Sequence, residues 1–123
     1  MSRTKTCFDF SKRVAYDPEA KRLFHAQARR QLRALAAALG LGDGQYDLRS
    51  NEAGIAVSGE ITLHADRLYV QVSQSAMGPD AGILIRSCRD RRDYVGGVNN
   101  FAPLDLLHRP DELARHIKLA GLA

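Results

Sequence analysis

The stretch "PEAKRLFHAQARRQLRALAAAL", residues 18–39, decides the fold of this protein, because it is typical of one long helix. Before it, Asp17 can accept the free backbone N–H groups of a helix start, and Pro18 suits the first helical position. After it, Gly40 can take the left-handed conformation with which many helices end. The stretch therefore predicts a helix of about 22 residues, roughly 33 Å long at about 1.5 Å per residue.

The two sides of this helix differ in chemistry. Apolar residues recur at spacings of three and four and form one stripe: Phe24, Ala28, Leu32, Leu35 and Leu39. At about 100° per residue, the basic residues fall on the opposite side or on its flank: Arg22, His25, Arg29, Arg30 and Arg33. No acidic residue lies between Glu19 and Asp43. The pattern predicts one face in the core and an exposed basic ridge, which is either a binding face or a solvated one.

Alternating apolar and polar residues on both sides of the helix predict an antiparallel sheet. Before the helix, residues 4–10 have the period of a half-buried strand. After the helix, we predict strands at 46–49, at 55–64 with a bulge at Gly59, at 68–72, and from Ile83 onward. Within 68–72, the apolar residues at alternate positions should face the core.

A second, shorter helix is predicted near the end of the chain. Pro110 lies where it would begin, and Leu113, Ala114 and Ile117 give it one apolar side. A long amphipathic helix needs a flat apolar surface, which an alternating sheet supplies. We therefore predict one α+β domain over residues 1–123, in the order β-α-β-β-β-β-α. It would be a two-layer fold in which a mainly antiparallel sheet of about five strands packs against the long helix.

Composition limits the class of protein. A chain of 123 residues with 45% hydrophobic residues suits a single domain with a real core. It has no run of about 18 apolar residues, and its start lacks the pattern of a secretory signal, so we expect a cytoplasmic protein without a membrane partner. Cys7 and Cys88 should then be reduced thiols. Nine of the 18 Lys and Arg residues lie in the first forty positions against three acids, which favours an anionic partner.

Motifs for catalysis and for metal binding are weak. The glycine-rich run 40–44 follows a helix instead of opening one, so it predicts a helix cap with a turn and not a phosphate loop. The histidines and cysteines lack metal-ligand spacing, and we expect no metal and no small-molecule cofactor. Cys88 could be a nucleophile with His64 or His108 as its base, but no local motif supports this.

The segment "RSCRDRRDYVGGVNNF", residues 86–101, is a second candidate site. A polar glycine loop with arginines and a tyrosine has the composition of a contact surface. Its aspartates could equally neutralise its arginines, and its asparagine pair suits an ordinary turn. Both interpretations stay open. The candidate binding residues from the helix and from this segment are Arg22, Arg29, Arg30, Arg33, Arg89, Arg91, Arg92, Tyr94, Asn99 and Asn100.

Four stretches carry a resemblance to a known group: "YDLRSNEAGIAVSGEITLHADRLYVQVSQ", "GILIRSC", "RRDYVGGVNNFAPLDLL" and "RPDELARHI". Over about residues 46–117 the chain resembles small accessory proteins of proteobacterial plasmids, integrative elements and phages. The resemblance implies a bacterial cytoplasm and an accessory role, such as acting against a host defence system, and it implies no known activity or catalytic residue.

Three functions are compatible with these observations. The first is a non-enzymatic module that contacts nucleic acid through the basic helix face and the Arg/Tyr/Gly loop. The second is a protein-binding inhibitor of a host defence or nucleic-acid-handling complex, which would offer an acidic surface. The third is a small enzyme with an unrecognised site, against which the lack of a motif counts.

Overall fold

The structure is a computed structural model that describes residues 9–10, 12–14, 17–52, 58–74 and 77–122. Its elements follow the order α1, β1 to β5, α2. They are helix α1 at Pro18–Ala38, strands β1 at Tyr46–Asn51, β2 at Glu60–Ala65, β3 at Leu68–Ser73, β4 at Ile83–Ser87 and β5 at Asn100–Ala102, and helix α2 at Pro110–Leu119. Short 3₁₀ turns occur at Pro79–Ala81 and Leu104–His108. The predicted α+β class is confirmed.

The five strands form one sheet in sequence order, and each is antiparallel to its neighbour. Leu63 of β2 pairs with Leu48 on one side and with Val70 on the other, and Val70 pairs with Ile85. Because side chains alternate along a strand, such a cross-strand row points to a single face of the sheet. We call this face, which α1 covers, the core face, and the opposite one the second face.

Helix α1 lies on the core face as the apolar stripe predicts. Phe24, Leu32 and Leu35 are fully buried. The Asp17 carboxylate accepts a hydrogen bond from the Ala20 N–H at 3.1 Å, and Gly40 has a φ of +81°. Both predicted ends of the helix are therefore confirmed to within a residue or two.

Helix α2 completes the helical layer beside α1. Its predicted apolar side is confirmed, because Leu113, Ala114 and Ile117 are buried. The Gln31 side chain of α1 donates a hydrogen bond to the Leu107 carbonyl at 3.1 Å, which ties α1 to the 3₁₀ turn that precedes α2. One described helix, α1, has the length of a bilayer span, yet none of the described helices is apolar enough to cross one.

Several predicted strand limits need correction. Most of the predicted strand 4–10 lies outside the described residues, as does the segment 55–57 of the predicted strand 55–64. Phe10 belongs to a turn, and its ring packs against the Phe24 ring with centroids 5.9 Å apart. Asn100, which we took for a turn residue, begins β5. The pairing of β5 with β4 creates this three-residue strand, so its own pattern does not reveal it.

Gly59 immediately precedes β2, and the strand residues 55–57 predicted on the other side of a bulge lie outside the described residues. Its φ is +70°, and a Cβ atom there would lie 2.4 Å from the Asn51 carbonyl oxygen and 2.9 Å from His25 Nε2. Glycine is therefore needed at this position to bring the chain close to β1 and α1.

Candidate functional site

The two groups of predicted binding residues lie on opposite sides of the sheet. Helix α1 covers the core face, so the outer side of α1 looks away from the sheet. The segment 88–99, which we call the cover loop, lies over part of the second face, where the Asp90 carbonyl contacts His64 and the Tyr94 ring packs against the His64 ring. The helix and the loop therefore present two separate surfaces.

The outer side of α1 presents a group of exposed arginines that we call the helix surface: Arg22, Arg30 and Arg33. Within the part of the chain that the structure describes, neither Arg30 nor Arg33 forms an ion pair or a side-chain hydrogen bond. Arg22 pairs with Glu19, but both side chains are mostly exposed. Exposed pairs of this kind contribute little to stability, so Arg22 can exchange its partner at small cost.

Arg29 does not belong to the helix surface, although we predicted it there. It is half-buried, and its Nη1 donates to the Leu48 carbonyl at 3.3 Å and to Ser50 Oγ at 3.2 Å. Both partners belong to β1, an edge strand whose outward carbonyl groups need protection. The prediction that Arg29 stays exposed is wrong, because its guanidinium covers this edge.

His25 was also placed on the basic ridge, and that prediction is wrong. Its side chain is 3% exposed, and its Nε2 lies 2.7 Å from the Ser58 carbonyl oxygen. The chain that leads into β2 closes over this flank of α1 at Ser58 and Gly59. The ridge is therefore narrower than the helical period alone indicates.

Asp93 organises the interior of the cover loop. Its carboxylate accepts hydrogen bonds from three backbone N–H groups: Gly96 at 2.9 Å, Arg89 at 2.9 Å and Val95 at 3.2 Å. The bond from Gly96, followed by those from Arg89 and Val95, lowers the pKa of Asp93. The loop is thus a folded unit built around one charged side chain.

Arg86 of β4 binds the cover loop from the second face of the sheet. Its guanidinium lies 4.3 Å from the centroid of the Tyr69 ring, while Nη2 donates to the Tyr94 carbonyl at 2.6 Å and Nη1 to Asn99 Oδ1 at 3.4 Å. Gly96 has a φ of +60°, and a Cβ atom there would lie 2.7 Å from Arg86 Cδ. Gly96 is therefore required by its backbone conformation and by its contact with Arg86.

His64 lies at the centre of the contact between loop and sheet, and it is fully buried. Its Nδ1 is 3.1 Å from Arg49 Nη2, and its Nε2 is 3.0 Å from the Asp90 carbonyl oxygen. A guanidinium can only donate and a carbonyl can only accept, so the ring is neutral with its proton on Nε2. Burial lowers the pKa of His64, and the charge of Arg49 acts in the same direction.

Two tyrosine rings pack edge-on against this histidine, Tyr69 at 5.1 Å and Tyr94 at 5.3 Å between centroids. From the sequence, His64 was predicted only as a possible catalytic base. The register offers the missing signal, because His64 pairs with Asp47 on one side and with Tyr69 on the other, and Tyr69 pairs with Arg86. These polar side chains form one row across the second face.

The predicted arginines of the loop have different environments. Arg91 is half-buried, and it donates to Asp66 at 3.0 Å and to the Gly44 carbonyl at 2.7 Å. It ties the loop to the turn before β1, at Gly44, and to the turn after β2, at Asp66. Arg89 is almost fully exposed, 3.8 Å from an oxygen of Asp93, and Arg92 is exposed. Arg91 therefore holds the loop in place, whereas Arg89 and Arg92 face solvent.

Exposed apolar side chains follow in the same loop and in β5. Tyr94 is 56% exposed, Val95 83%, Val98 81% and Phe101 43%. Asn100, the remaining candidate, donates to the Val98 carbonyl at 3.1 Å. Val95, Val98 and Phe101 were not among the predicted site residues, although apolar residues within a polar glycine loop were the available signal. We call the four exposed side chains of Tyr94, Val95, Val98 and Phe101 the loop surface.

Cys88 does not have the environment of an activated nucleophile. Its thiol is buried and donates to the Ala65 carbonyl at 3.3 Å, and burial raises its pKa. A reactive cysteine needs the opposite shift. Both ring nitrogens of His64 are engaged elsewhere, and the His108 ring packs on the Phe10 ring at 4.7 Å. Among the described residues, no group of His, Cys, Asp and Glu could hold a metal ion.

Comparison with known proteins gives no relative, since no family model, curated protein or solved structure matches the chain. The fold and the two surfaces therefore provide the basis for assigning a function.

Proposed function

We propose that this protein is a small non-enzymatic binding module that contacts the phosphate backbone of nucleic acid through the helix surface. The supporting observation is that the Arg30 and Arg33 guanidinium groups are exposed and have no acidic partner among the described residues. Arginine has a planar fork of donors that matches phosphate oxygens. Exposed guanidinium groups with no internal partner are therefore available to phosphate.

The spacing of the helix surface suits an extended anionic ligand. From Arg22 to Arg33 the helix rises about 17 Å, and the three arginines lie within an arc of about 80°. Ala26 and Ala37 are exposed on the same side of α1, and their small side chains leave room for a ligand to approach. Residues 17–38 carry five Lys or Arg residues and two acids, so the surface has a net positive charge.

Salt dependence of binding tests this proposal. Three phosphate contacts predict a slope of log affinity against log salt of about −2.7 on duplex DNA, which is a loss of about 40-fold between 50 and 200 mM salt. Fluorescence anisotropy with duplex and single-stranded oligonucleotides would measure it. Replacing Arg22, Arg30 and Arg33 together with Gln should weaken binding and flatten the slope.

A matched control carries the same charge change away from α1, in the turn between β2 and β3 and in the cover loop. Arg67, Arg89 and Arg92 are exposed, and replacing them together with Gln also removes three positive charges. This control should keep most of the affinity. The proposal fails if the wild type shows no salt-sensitive binding, or if the control loses as much affinity as the helix variant.

A protein partner is the second candidate function, and the loop surface favours it. Exposed aromatic and aliphatic side chains on a well-fixed loop are typical of the centre of a protein interface. Its test is capture of partners from a bacterial lysate treated with nuclease. Val95→Ser with Val98→Ser should abolish capture, because these side chains are the most exposed of the group. Capture that depends on the helix surface instead would contradict this candidate.

The proposed setting is a bacterial cytoplasm, where the protein would be an accessory product of a plasmid, integrative element or phage. The resemblance over about residues 46–117 supports this setting. In this setting, a protein partner would be a host defence or nucleic-acid-handling complex.

A further inference from the structure

The cover loop is fastened to the second face by a small number of polar contacts. The Asp90 carbonyl accepts from His64, the Tyr94 carbonyl accepts from Arg86, and Arg91 donates to Asp66. The backbone adds two bonds, from Gly97 to the Ser87 carbonyl at 3.0 Å and from Cys88 to the Arg67 carbonyl at 3.1 Å. Because these contacts are few, the loss of any one of them would remove a sizeable part of what holds the loop on the sheet.

Of the two contacts of His64, the one with Arg49 depends on the protonation state of the ring, whereas Nε2 donates to the Asp90 carbonyl in both states. The neutral ring accepts from Arg49 at Nδ1 and donates to Asp90 at Nε2. A protonated ring carries N–H groups on both nitrogens, so an N–H would face the Arg49 N–H at 3.1 Å, and two positive charges would meet at a part-buried contact. Arg49 would then have to leave. Its guanidinium also lies 5.5 Å from the centroid of the Tyr94 ring, so Tyr94 would lose this contact as well.

Charged and titratable groups face His64 from all the elements packed around it. They are Asp47 and Arg49 from β1, Tyr69 from β3, and Asp90, Asp93 and Tyr94 from the cover loop, while Arg86 of β4 lies one strand further on, over the Tyr69 ring. Burial lowers the pKa of His64 most, and Arg49 adds to it, whereas the Asp90 carbonyl and the carboxylates of Asp47 and Asp93 oppose it. The neutral ring is therefore the stable form near pH 7.

We propose that the cover loop is an acid-sensitive lid, which leaves the second face of the sheet when His64 takes up a proton. Its departure uncovers the Tyr69 ring and the middle of the sheet, and it disperses the loop surface that includes Tyr94 and Val98. The helix surface is on the other side of the sheet and keeps its shape. A partner held by the loop surface would be released by acid, whereas a nucleic acid held by α1 would not.

Hydrogen exchange measured by mass spectrometry tests this lid. Wild-type protein would be labelled at pH 7.5 and at pH 4.8, with labelling times scaled for the intrinsic pH dependence of exchange. Peptides covering 88–99 should lose protection by at least tenfold at pH 4.8, while those from α1 stay protected. Equal changes in the two regions, or no change in the loop, would overturn the proposal.

Substitutions separate titration of His64 from a general effect of acid. His64→Gln has no titratable ring and can still donate to Asp90, so its loop should respond to pH much less than in the wild type. His116→Gln, at an exposed position of α2, is the matched control and should respond as the wild type does. A full response in His64→Gln would contradict the proposal.

Two further variants keep the proposal testable if His64→Gln does not fold. Removing the positive charge with Arg49→Met makes the protonated ring less unfavourable under the closed loop, so the midpoint of loop opening should move to lower pH. Removing the negative charge with Asp47→Asn makes the protonated ring more unfavourable under the closed loop, so the midpoint should move to higher pH. A merely structural role for these residues would not give shifts in opposite directions, so shifts in one direction or none would refute the lid.

Discussion

The helix surface and the cover loop are both rich in arginine, yet their arginines differ in whether an acidic side chain lies beside them. Arg30 and Arg33 have no acidic partner among the described residues, whereas Arg91 is bound to Asp66 and Arg89 lies near Asp93. The difference follows from the position of acidic residues, which are absent from 20–42 and interspersed in 86–93. Arginine content alone is therefore a poor guide to a binding surface, and the local supply of carboxylates decides whether a guanidinium is available.

The largest expected effect comes from the core that both surfaces share. Leu32 is fully buried on the inward side of α1, and its neighbour Arg33 is on the helix surface. Leu32→Ala should lower the free energy of unfolding by about 2–5 kcal/mol, as core truncations do, and Arg33→Ala by much less. Urea unfolding followed by circular dichroism measures both. Equal losses would mean that the inward side of the helix is wrongly assigned.

A smaller effect should separate the two surfaces. Gly96→Ala places a side chain at a φ of +60° and against Arg86, so it should cost about 1–2 kcal/mol and loosen the cover loop. The helix surface has no contact with this glycine and should keep its affinity for nucleic acid. Gly40→Ala is a suitable comparison, since its φ is also positive but a Cβ there would meet no neighbour within 4 Å. Loss of nucleic-acid binding in Gly96→Ala would show that the two surfaces are coupled.

Acid should affect the cover loop a second time, through Asp93. Because the pKa of Asp93 is lower in the folded protein, its contribution to stability is present above its unfolded value of about 3.9. That contribution is lost as the pH falls through the lower folded value, below the range in which His64 titrates. Asp93→Asn should loosen the loop already at pH 7, which NMR of the Gly96 amide would report. An unchanged Gly96 signal would exclude Asp93 as the organiser of the loop.

The smallest effect, ideally none, is expected from a reducing agent. Cys88, the first residue of the cover loop, has a buried free thiol, and we expect Cys7 to be reduced as well. The melting temperature should therefore be the same with and without dithiothreitol. A substantial fall on reduction would reveal a structural disulfide and would undermine the expectation of a cytoplasmic protein.

The elements that carry their own signals could be predicted from the sequence. The ends of α1 follow from Asp17 and Gly40, and its inward side follows from the spacing of its apolar residues. The core side of β3 was likewise predicted correctly, since Leu68, Val70 and Val72 are buried. In each case, neighbours in the sequence determine the structure, so the local pattern is sufficient.

The features that depend on distant partners could not be predicted. His25 is buried because residues 33 positions later close over it, and Arg29 turns inward because β1 needs its edge covered. β5 exists through its pairing with β4. The separation of the two candidate surfaces needed the sheet topology, which places α1 on one face and the cover loop on the other. Helical periodicity and composition contain none of this information.

The strand order of the sheet has a consequence for how the protein assembles and comes apart. Every strand pairs with its neighbour in the sequence, and β2 and β3 are joined by two residues, so this hairpin can form early and with little loss of chain entropy. β5 can pair with β4 only after the chain has closed a loop of twelve residues between them. We therefore expect residues 88–102 to fold last and to open first. Such an opening can occur as a local event while the other four strands and α1 remain native.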